Sequence, residues 1–184
     1  MTFPGARIPG TMVLTKNELV ASLKNEVRIL LHLAGKIDKA KLDYRPTPRQ
    51  RSILELVQYL AIMAPAHIAA IKGGDFSRPG MISVWRPAET SAKSMNFEQA
   101  VAAIEQQSEQ FDQIFSDWSQ ADLRSEVDMF GHKVTRGELL VTQVVSGFAA
   151  YRMQLFCYLK SCGREELNTV DLWMGTDAGA FTES

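Results

Sequence analysis

The sequence holds few of the side chains that build metal and redox sites. Its 184 residues include two cysteines and three histidines, and no HExxH, Glu-x-x-His or CxxC pattern occurs. His32, His67 and His132 stand too far apart in the chain for any two to form the i, i+3 or i, i+4 pair of a helical metal site. Motifs therefore give no support to the common classes of metalloenzyme.

The patterns of serine hydrolases and nucleotide-binding proteins are missing as well. The sequence has no Gly-x-Ser-x-Gly, which marks the exposed nucleophile of many hydrolases, and no glycine-rich phosphate-binding loop. Neither of these two chemistries is supported.

The two cysteines do not indicate a disulfide. Cys157 and Cys162 are five residues apart, so on a helix that turns about 100° per residue they point about 140° away from each other. The first ten residues lack the apolar stretch of a secretory signal. We therefore expect free thiols in a reducing compartment and a cytoplasmic location.

A surplus of charge is also lacking, because 20 Lys and Arg stand against 21 Asp and Glu for a formal net charge of −1. Such a chain has no overall field to attract nucleic acid or an anionic membrane. Arg45, Arg49 and Arg51 cluster, but two prolines interrupt them, which favours a solvated loop. The apolar segment 139–159 contains Arg152 and several polar side chains, which favours a buried helix over a membrane span. We expect neither a nucleic-acid nor a membrane partner.

What the sequence does contain is a repeated signal for the start of a helix. A Ser, Thr or Asn is followed three residues later by Glu or Gln, a pairing that satisfies two free backbone N–H groups. Each pair opens an apolar series at the period of a helix. The pairs are Thr15 with Glu18, Ser52 with Glu55, Asn96 with Gln99, and Thr135 with Glu138.

These starts predict an all-α four-helix bundle. The apolar series place its helices at 16–37, 53–72, 97–119 and 136–161. With 46% hydrophobic and 22% charged residues, the chain has the composition of a single globular domain over 1–184. We expect its core at about 15–174, with 1–14 and 175–184 extended or frayed.

The connections between the helices predict the path of the chain. Residues 74–95, which include two prolines, predict a long crossover between helices two and three that lets these helices lie parallel. Residues 125–135 predict a short hairpin or an extended lead-in, and 164–174 a short docking helix. Pro65 should kink the second helix near Ala61.

Three segments of the sequence resemble the DinB-like superfamily. They are LDYRPTPRQRSILELVQYL at 42–60, GHKVTRGELL at 131–140 and YRMQL at 151–155. The likeness extends from helix one to the end of helix four. It implies a bacterial four-helix bundle with an up-down-down-up path, in agreement with the long second connection, and a homodimer.

Many members of that superfamily hold a divalent metal with three histidines, one on helix two and two on helix four. The resemblance maps these positions onto Tyr59, Gly147 and Tyr151, and the Arg-x-Gln that follows them onto Arg152 and Gln154. None of the three is histidine. A phenol is a poor ligand at neutral pH and glycine has no side chain, so the resemblance implies a degenerate metal site and no cofactor.

These positions allow alternative interpretations. Tyr59 and Tyr151 either fill the vacated space with each other's rings or line a cavity that binds a small aromatic or carbonyl compound. Gly147 either lets two helices approach closely or opens part of that cavity. Arg152 either forms an ion pair that fixes a loop or binds the anionic group of a ligand.

Two functions are consistent with the sequence. We favour a non-catalytic bundle that binds a small molecule in the residual cavity between the helices, with Tyr59, Gly147, Tyr151 and Arg152 as its candidate residues. The alternative is an enzyme similar to the family's metal-dependent hydrolases or thiol-transferases, with nickel or zinc in a rearranged ligand set around His67.

The histidines themselves favour ordinary structural roles. His67 lies eight residues beyond Tyr59, which is about 12 Å along a helix, and cannot take its place. A hydrogen-bonded packing role is the simpler interpretation for His67, as is partial burial for His32. His132 is expected in a solvated turn.

Overall fold

The computed structural model describes residues 14–177, and most of them are α-helical. In chain order the first helices are α1 (Lys16–Ala34), α2 (Ile53–Gly73), α3 (Arg78–Lys93), α4 (Phe97–Phe115) and α5 (Gln120–Arg124). The hairpin strands β1 (Glu126–Met129) and β2 (His132–Thr135) follow, and then α6 (Arg136–Leu139), a π-helical segment (Leu140–Val145), α7 (Ser146–Ser161) and α8 (Thr169–Met174). A 3-10 turn at Lys39–Lys41 lies between α1 and α2.

The predicted helix starts are confirmed. The side chains of Thr15, Ser52 and Asn96 each accept a hydrogen bond from the backbone N–H three residues on. The Glu or Gln side chain at that position accepts one from the backbone N–H of the cap residue. Thr135 accepts from the backbone N–H of Glu138 in the same way. Local chemistry therefore fixes where the bundle helices begin.

Polar contacts between α1 and α4 show that these two helices run antiparallel. Lys24 of α1 forms an ion pair with Asp112 near the end of α4, at 2.5 Å. Lys39, just beyond α1, pairs with Glu98 at the start of α4, also at 2.5 Å. The end of α1 therefore lies beside the start of α4, and the two helices point in opposite directions.

The helices α2 and α4 run parallel, as the long crossover predicts. Gln58 of α2 donates to the Met95 carbonyl just before α4 at 2.7 Å. At the other end of α2, Lys72 pairs with Asp117 just after α4 at 2.8 Å. The helical segment 136–161 starts beside the end of α2, where Arg136 donates to the Ile71 carbonyl at 3.1 Å, and then follows α2 back. Since α7 thus runs antiparallel to α2, the bundle has the up-down-down-up path.

The sequence prediction of four helices assigns no helix to the crossover at 74–95, whereas α3 occupies most of it. Ser77 caps this helix, and Pro79 lies in the first turn, where a backbone N–H has no partner within the helix anyway. Gly80 is required beside Asp75, since a Cβ at this position would overlap the Asp75 carboxyl group. Pro79 is therefore compatible with the start of the helix, α3 continues through Pro87 in its interior, and the crossover is helical.

Other boundaries differ from the expected ones by a turn or less. The first helix ends at Ala34, not at 37, and the third at Phe115, not at 119. The fourth helix, 136–161, is continuous but passes through the π-helical segment, where the Ser146 hydroxyl donates to the Val141 carbonyl five residues back at 3.0 Å.

The hairpin and the docking helix are confirmed. Strands β1 and β2 pair antiparallel around Phe130 and Gly131, which both have positive φ, at 56° and 87°. The docking helix is α8. The expected frayed ends lie mostly outside the described residues, and Gly175 is held against α1, where Arg28 donates to its carbonyl at 3.2 Å.

Among residues 14–177, one helix, α2, is long and apolar enough to cross a bilayer. Of its most apolar window, 67% is buried inside the bundle, between α3, α4 and α7. Its hydrophobicity is what a helix at the centre of a core requires.

A proline lies in the middle of this central helix, which still runs unbroken. Pro65 has no N–H, so the Ala61 carbonyl four residues earlier has no partner within the helix. The amide of Gln107, fully buried on α4, donates to the carbonyls of Leu60 and Ala61, both at 3.0 Å. One side chain of α4 thus satisfies the backbone group that the proline frees.

Replacing Gln107 with Met should lower the free energy of unfolding by about 1–3 kcal/mol, because the buried Ala61 carbonyl is left without a donor. In a Pro65→Ala background the same replacement should cost less, since the alanine N–H can donate to Ala61. Urea denaturation of the four proteins of this double-mutant cycle measures the difference. An equal cost in both backgrounds would contradict this role for Gln107.

Candidate functional site

Two of the predicted site residues meet where α2 and α7 cross. The ring centroids of Tyr59 on α2 and Tyr151 on α7 lie 4.9 Å apart in an edge-to-face arrangement. Such a pair contributes about 0.5–1.5 kcal/mol beyond the area it buries. We call these two residues the tyrosine pair.

The third predicted residue, Gly147, faces α2 one turn away from the tyrosine pair. A Cβ at this position would lie 3.3 Å from the sulfur of Met63, which is fully buried. The thioether therefore occupies the space in front of Gly147. Of the two predicted roles, the structure favours close helix contact over an open pocket.

Three further side chains extend the tyrosine pair into an aromatic cluster. The Trp85 ring of α3 stacks nearly parallel to Tyr59 at 6.3 Å, and the His67 ring meets Trp85 edge-on at 4.8 Å. The Arg51 guanidinium carbon lies 4.0 Å from the Tyr59 ring centroid and 6.0 Å from that of Tyr151. We refer to these five side chains as the aromatic cluster.

Burial favours the neutral forms of two members of this cluster, Tyr59 and His67. It raises the pKa of the Tyr59 hydroxyl well above its ordinary value, and the neighbouring Tyr151 raises it further, while Arg51 opposes the change. Burial also lowers the pKa of His67. Tyr59 is thus a neutral phenol and His67 a neutral imidazole.

An open groove of about 710 Å³ adjoins the aromatic cluster at Arg51 and Tyr59, within the size range of small-molecule sites. Its walls come from the segment before α2, the first half of α2 and the last turns of α3. The groove contains both charged and apolar side chains. We call it the arginine groove, and its lining is Asp43, Arg45, Pro48, Arg49, Gln50, Arg51, Ser52, Leu54, Glu55, Gln58, Tyr59, Ile62, Glu89, Ala92 and Lys93.

A comparison with solved structures finds a similar chain, described as a DinB-like protein (YjoA) from Bacillus subtilis. The two chains are 22% identical with a TM-score of 0.60, and the match covers 80% of this chain and 92% of that one. The fold is DinB-like. No protein-family model matches this chain, and no curated protein does. At this identity the likeness confirms the expected DinB-like bundle, and it concerns the fold alone.

Within the DinB-like bundle, Arg152 lies apart from the tyrosine pair. It is buried, and its Nη1 donates to a carboxylate oxygen of Glu26 on α1 at 2.8 Å. Its guanidinium carbon lies 5.4 Å from the Trp173 ring centroid of α8. Arg152 therefore forms an ion pair, as one of the two interpretations predicts, but it fixes helices α1, α7 and α8 to one another and does not line the groove.

The other histidines also lie outside the aromatic cluster. His32 is hydrogen-bonded to Asp171 at 2.9 Å, and among residues 14–177 these two and Asp177 are close enough to share one ion. Lys36 already forms an ion pair with Asp177. In that part of the chain, His67 belongs to no group of three such ligands.

Two members of the aromatic cluster are not among the predicted site residues. The sequence places Arg51 in a solvated loop; it is exposed there, and its guanidinium also covers the Tyr59 ring. Trp85 lies in the crossover, to which the sequence prediction assigned no helix. The helix that carries Trp85 could have been predicted from the spacing of the apolar residues in this segment, which are Met81, Val84, Trp85, Ala88 and Ala92.

Because the buried Arg152 pairs with the partly buried Glu26, Arg152→Met should lower the free energy of unfolding by about 1–3 kcal/mol at neutral pH, since it leaves this carboxylate without its partner. The double variant Glu26→Gln/Arg152→Met removes both charges and should be more stable than Arg152→Met alone. Urea denaturation gives both values. If the double variant were the less stable one, the ion pair would not be the reason for the loss.

The lowered pKa of His67 predicts a pH-dependent stability. The unfolded chain, whose histidine has the ordinary pKa of about 6.5, takes up a proton more readily than the native protein, so stability should fall as the pH drops through this value. Between about pH 8 and about pH 5, the thermal midpoint of His67→Gln should therefore fall less than that of the wild type. The control is His132→Gln, on the exposed hairpin, which should follow the wild type. Equal pH profiles for all three proteins would contradict a buried neutral His67.

Proposed function

We propose that this protein is a DinB-like bundle that has given up the metal chemistry of the superfamily and binds a small molecule in the arginine groove. The observation that carries the proposal is the packing at the three positions that the resemblance assigns to metal ligands. Tyr59 and Tyr151 lie against each other there, with ring centroids 4.9 Å apart, and Met63 faces Gly147. These contacts form a packed helix crossing.

The donors at these positions do not fit a divalent ion. The pKa of Tyr59 is raised, so its phenol resists the deprotonation that metal binding requires. A thioether is a soft ligand that suits Cu(I) better than nickel or zinc. Gly147 supplies no side-chain donor. The chemistry of the residues thus supports a non-catalytic role at this crossing.

The arginine groove provides what a ligand site needs beside that crossing. Its volume suits a small molecule, and its apolar side chains lie next to several hydrogen-bond donors and acceptors. One wall is the half-buried Tyr59, so the groove extends to the edge of the aromatic cluster. This supports binding in the groove over binding between the packed rings.

Elemental analysis and ligand-induced stabilisation test this proposal together. Protein expressed in medium rich in nickel and zinc should carry far less than one equivalent of either metal. A panel of metabolites should include one that raises the thermal midpoint, since a ligand at a hundredfold excess over its Kd stabilises the native state by about 2.7 kcal/mol. One equivalent of metal that His67→Ala removes would favour the metal-dependent enzyme instead.

A variant that fills the arginine groove tests whether the ligand that raises the thermal midpoint binds there. Leu54→Trp puts a bulky indole ring into the groove and should abolish the rise in thermal midpoint that the ligand causes. Ile82→Trp, the same kind of change on the outer face of α3, should leave it intact, because Ile82 lies outside the groove. A ligand that binds both variants equally well would lie elsewhere on the protein.

A further inference from the structure

We infer that the ligand of the arginine groove is a small organic oxyanion, a carboxylate or a phosphate monoester with an apolar body, and that Arg49 and Arg51 bind its anionic group. This inference rests on the proposed function and adds the chemical class of the ligand. It follows from which donors in the groove are already used and which are free.

The three arginines that line the groove differ in their partners. Arg45 is engaged, because its Nη1 lies 3.2 Å from a carboxylate oxygen of Glu55 and 3.3 Å from the Gln50 carbonyl. Arg49 and Arg51 form no ion pair with any carboxylate among residues 14–177. Two guanidinium groups in one groove are therefore free for an incoming anion.

The backbone at the start of α2 cannot take the place of these side chains. The N–H groups of Ile53 and Leu54 already donate to the carbonyls of Tyr44 and Leu42, both at 3.0 Å. Those of Ser52 and Glu55 are used in the capping box. The helix N-terminus thus has no free donor, and an anion in the groove must be bound by side chains.

Arg51 is placed for this role by its contact with Tyr59. The guanidinium lies over the Tyr59 ring at 4.0 Å, which limits its motion. A guanidinium that contacts a ring through its face keeps the N–H groups of its edge free for a carboxylate or phosphate. Because the side chain is partly ordered before binding, less conformational entropy is lost when a ligand arrives.

The other residues that line the groove favour an organic anion over a bare inorganic one. Leu54, Ile62 and Pro48 give the groove apolar surface, and about 710 Å³ is far more than one phosphate needs. The charged lining has an excess of positive groups, with Arg45, Arg49, Arg51 and Lys93 against Asp43, Glu55 and Glu89, whereas the whole chain has a net charge of −1. An oxyanion with an apolar body matches both features.

Calorimetric titration with three probes of similar shape tests this class. Benzoate and phenyl phosphate carry the anionic group, and benzamide is the neutral counterpart of benzoate. At least one of the two anions should bind the wild type, and benzamide should bind at least about tenfold more weakly than benzoate or not at all. Raising the salt concentration should weaken binding of the anions.

Variants of the exposed arginines identify the binding groups. Arg49→Gln and Arg51→Gln should each weaken anion binding by about tenfold to a hundredfold, the range that the loss of one charged hydrogen bond gives. Arg51→Lys, which keeps the charge but loses the planar fork, should fall between the wild type and Arg51→Gln. Arg124→Gln on α5, at an exposed site outside the groove, is the matched control and should bind as the wild type does.

The outcomes separate this inference from the function on which it rests. If benzamide or neutral metabolites bind in the groove as tightly as the anions do, and Leu54→Trp blocks them, the groove is a ligand site but the assigned class is wrong. If Arg124→Gln weakens binding as much as Arg51→Gln, the attraction is general and the assigned residues are wrong. If no probe and no metabolite binds, the inference and the proposed function both fail.

Discussion

The structure depends on burying α2, a helix that lies at the centre of the bundle and contains a proline. Pro65 leaves the Ala61 carbonyl without a partner in a place that water does not reach, and Gln107 of α4 supplies the donor. This requirement fixes how α4 lies along α2, because a shift by one turn would separate the amide from the carbonyl. The other amide atom, Oε1 of Gln107, has no hydrogen-bond partner among the described residues. The Gln107 side chain thus satisfies the backbone carbonyl of Ala61, while its own carbonyl oxygen is left without a partner.

The crossing of α2 and α7 is the second contact on which the site depends. Rings meet at Tyr59 and Tyr151, and one turn further along, the absence of a side chain at Gly147 makes room for Met63. Apolar and aromatic packing thus joins these two helices at the crossing.

The features that follow from local chemistry could be predicted from the sequence, and those that depend on distant partners could not. Helix starts and the hairpin follow from caps, turns and apolar spacing within a few residues, whereas the path of the bundle was implied by the DinB-like resemblance, in agreement with the long second connection. The helix α3 was hidden by its two prolines, of which Pro79 lies in the tolerant first turn and Pro87 in the interior. The partner of Arg152 could not be predicted, because Glu26 lies 126 residues away in the chain. The homodimer and the cytoplasmic location stay predictions.

The wall of the arginine groove is already ordered before any ligand arrives, although it is formed partly by a loop rich in proline and arginine. The segment before α2 is tied down by backbone hydrogen bonds from Ile53 to Tyr44 and from Leu54 to Leu42. The Tyr44 ring packs edge-on against Tyr158 of α7 at 5.8 Å, and Arg51 lies on Tyr59. A loop fixed at both its backbone and its side chains would lose little entropy if the proposed ligand bound there, so few polar contacts would be needed to hold a small molecule.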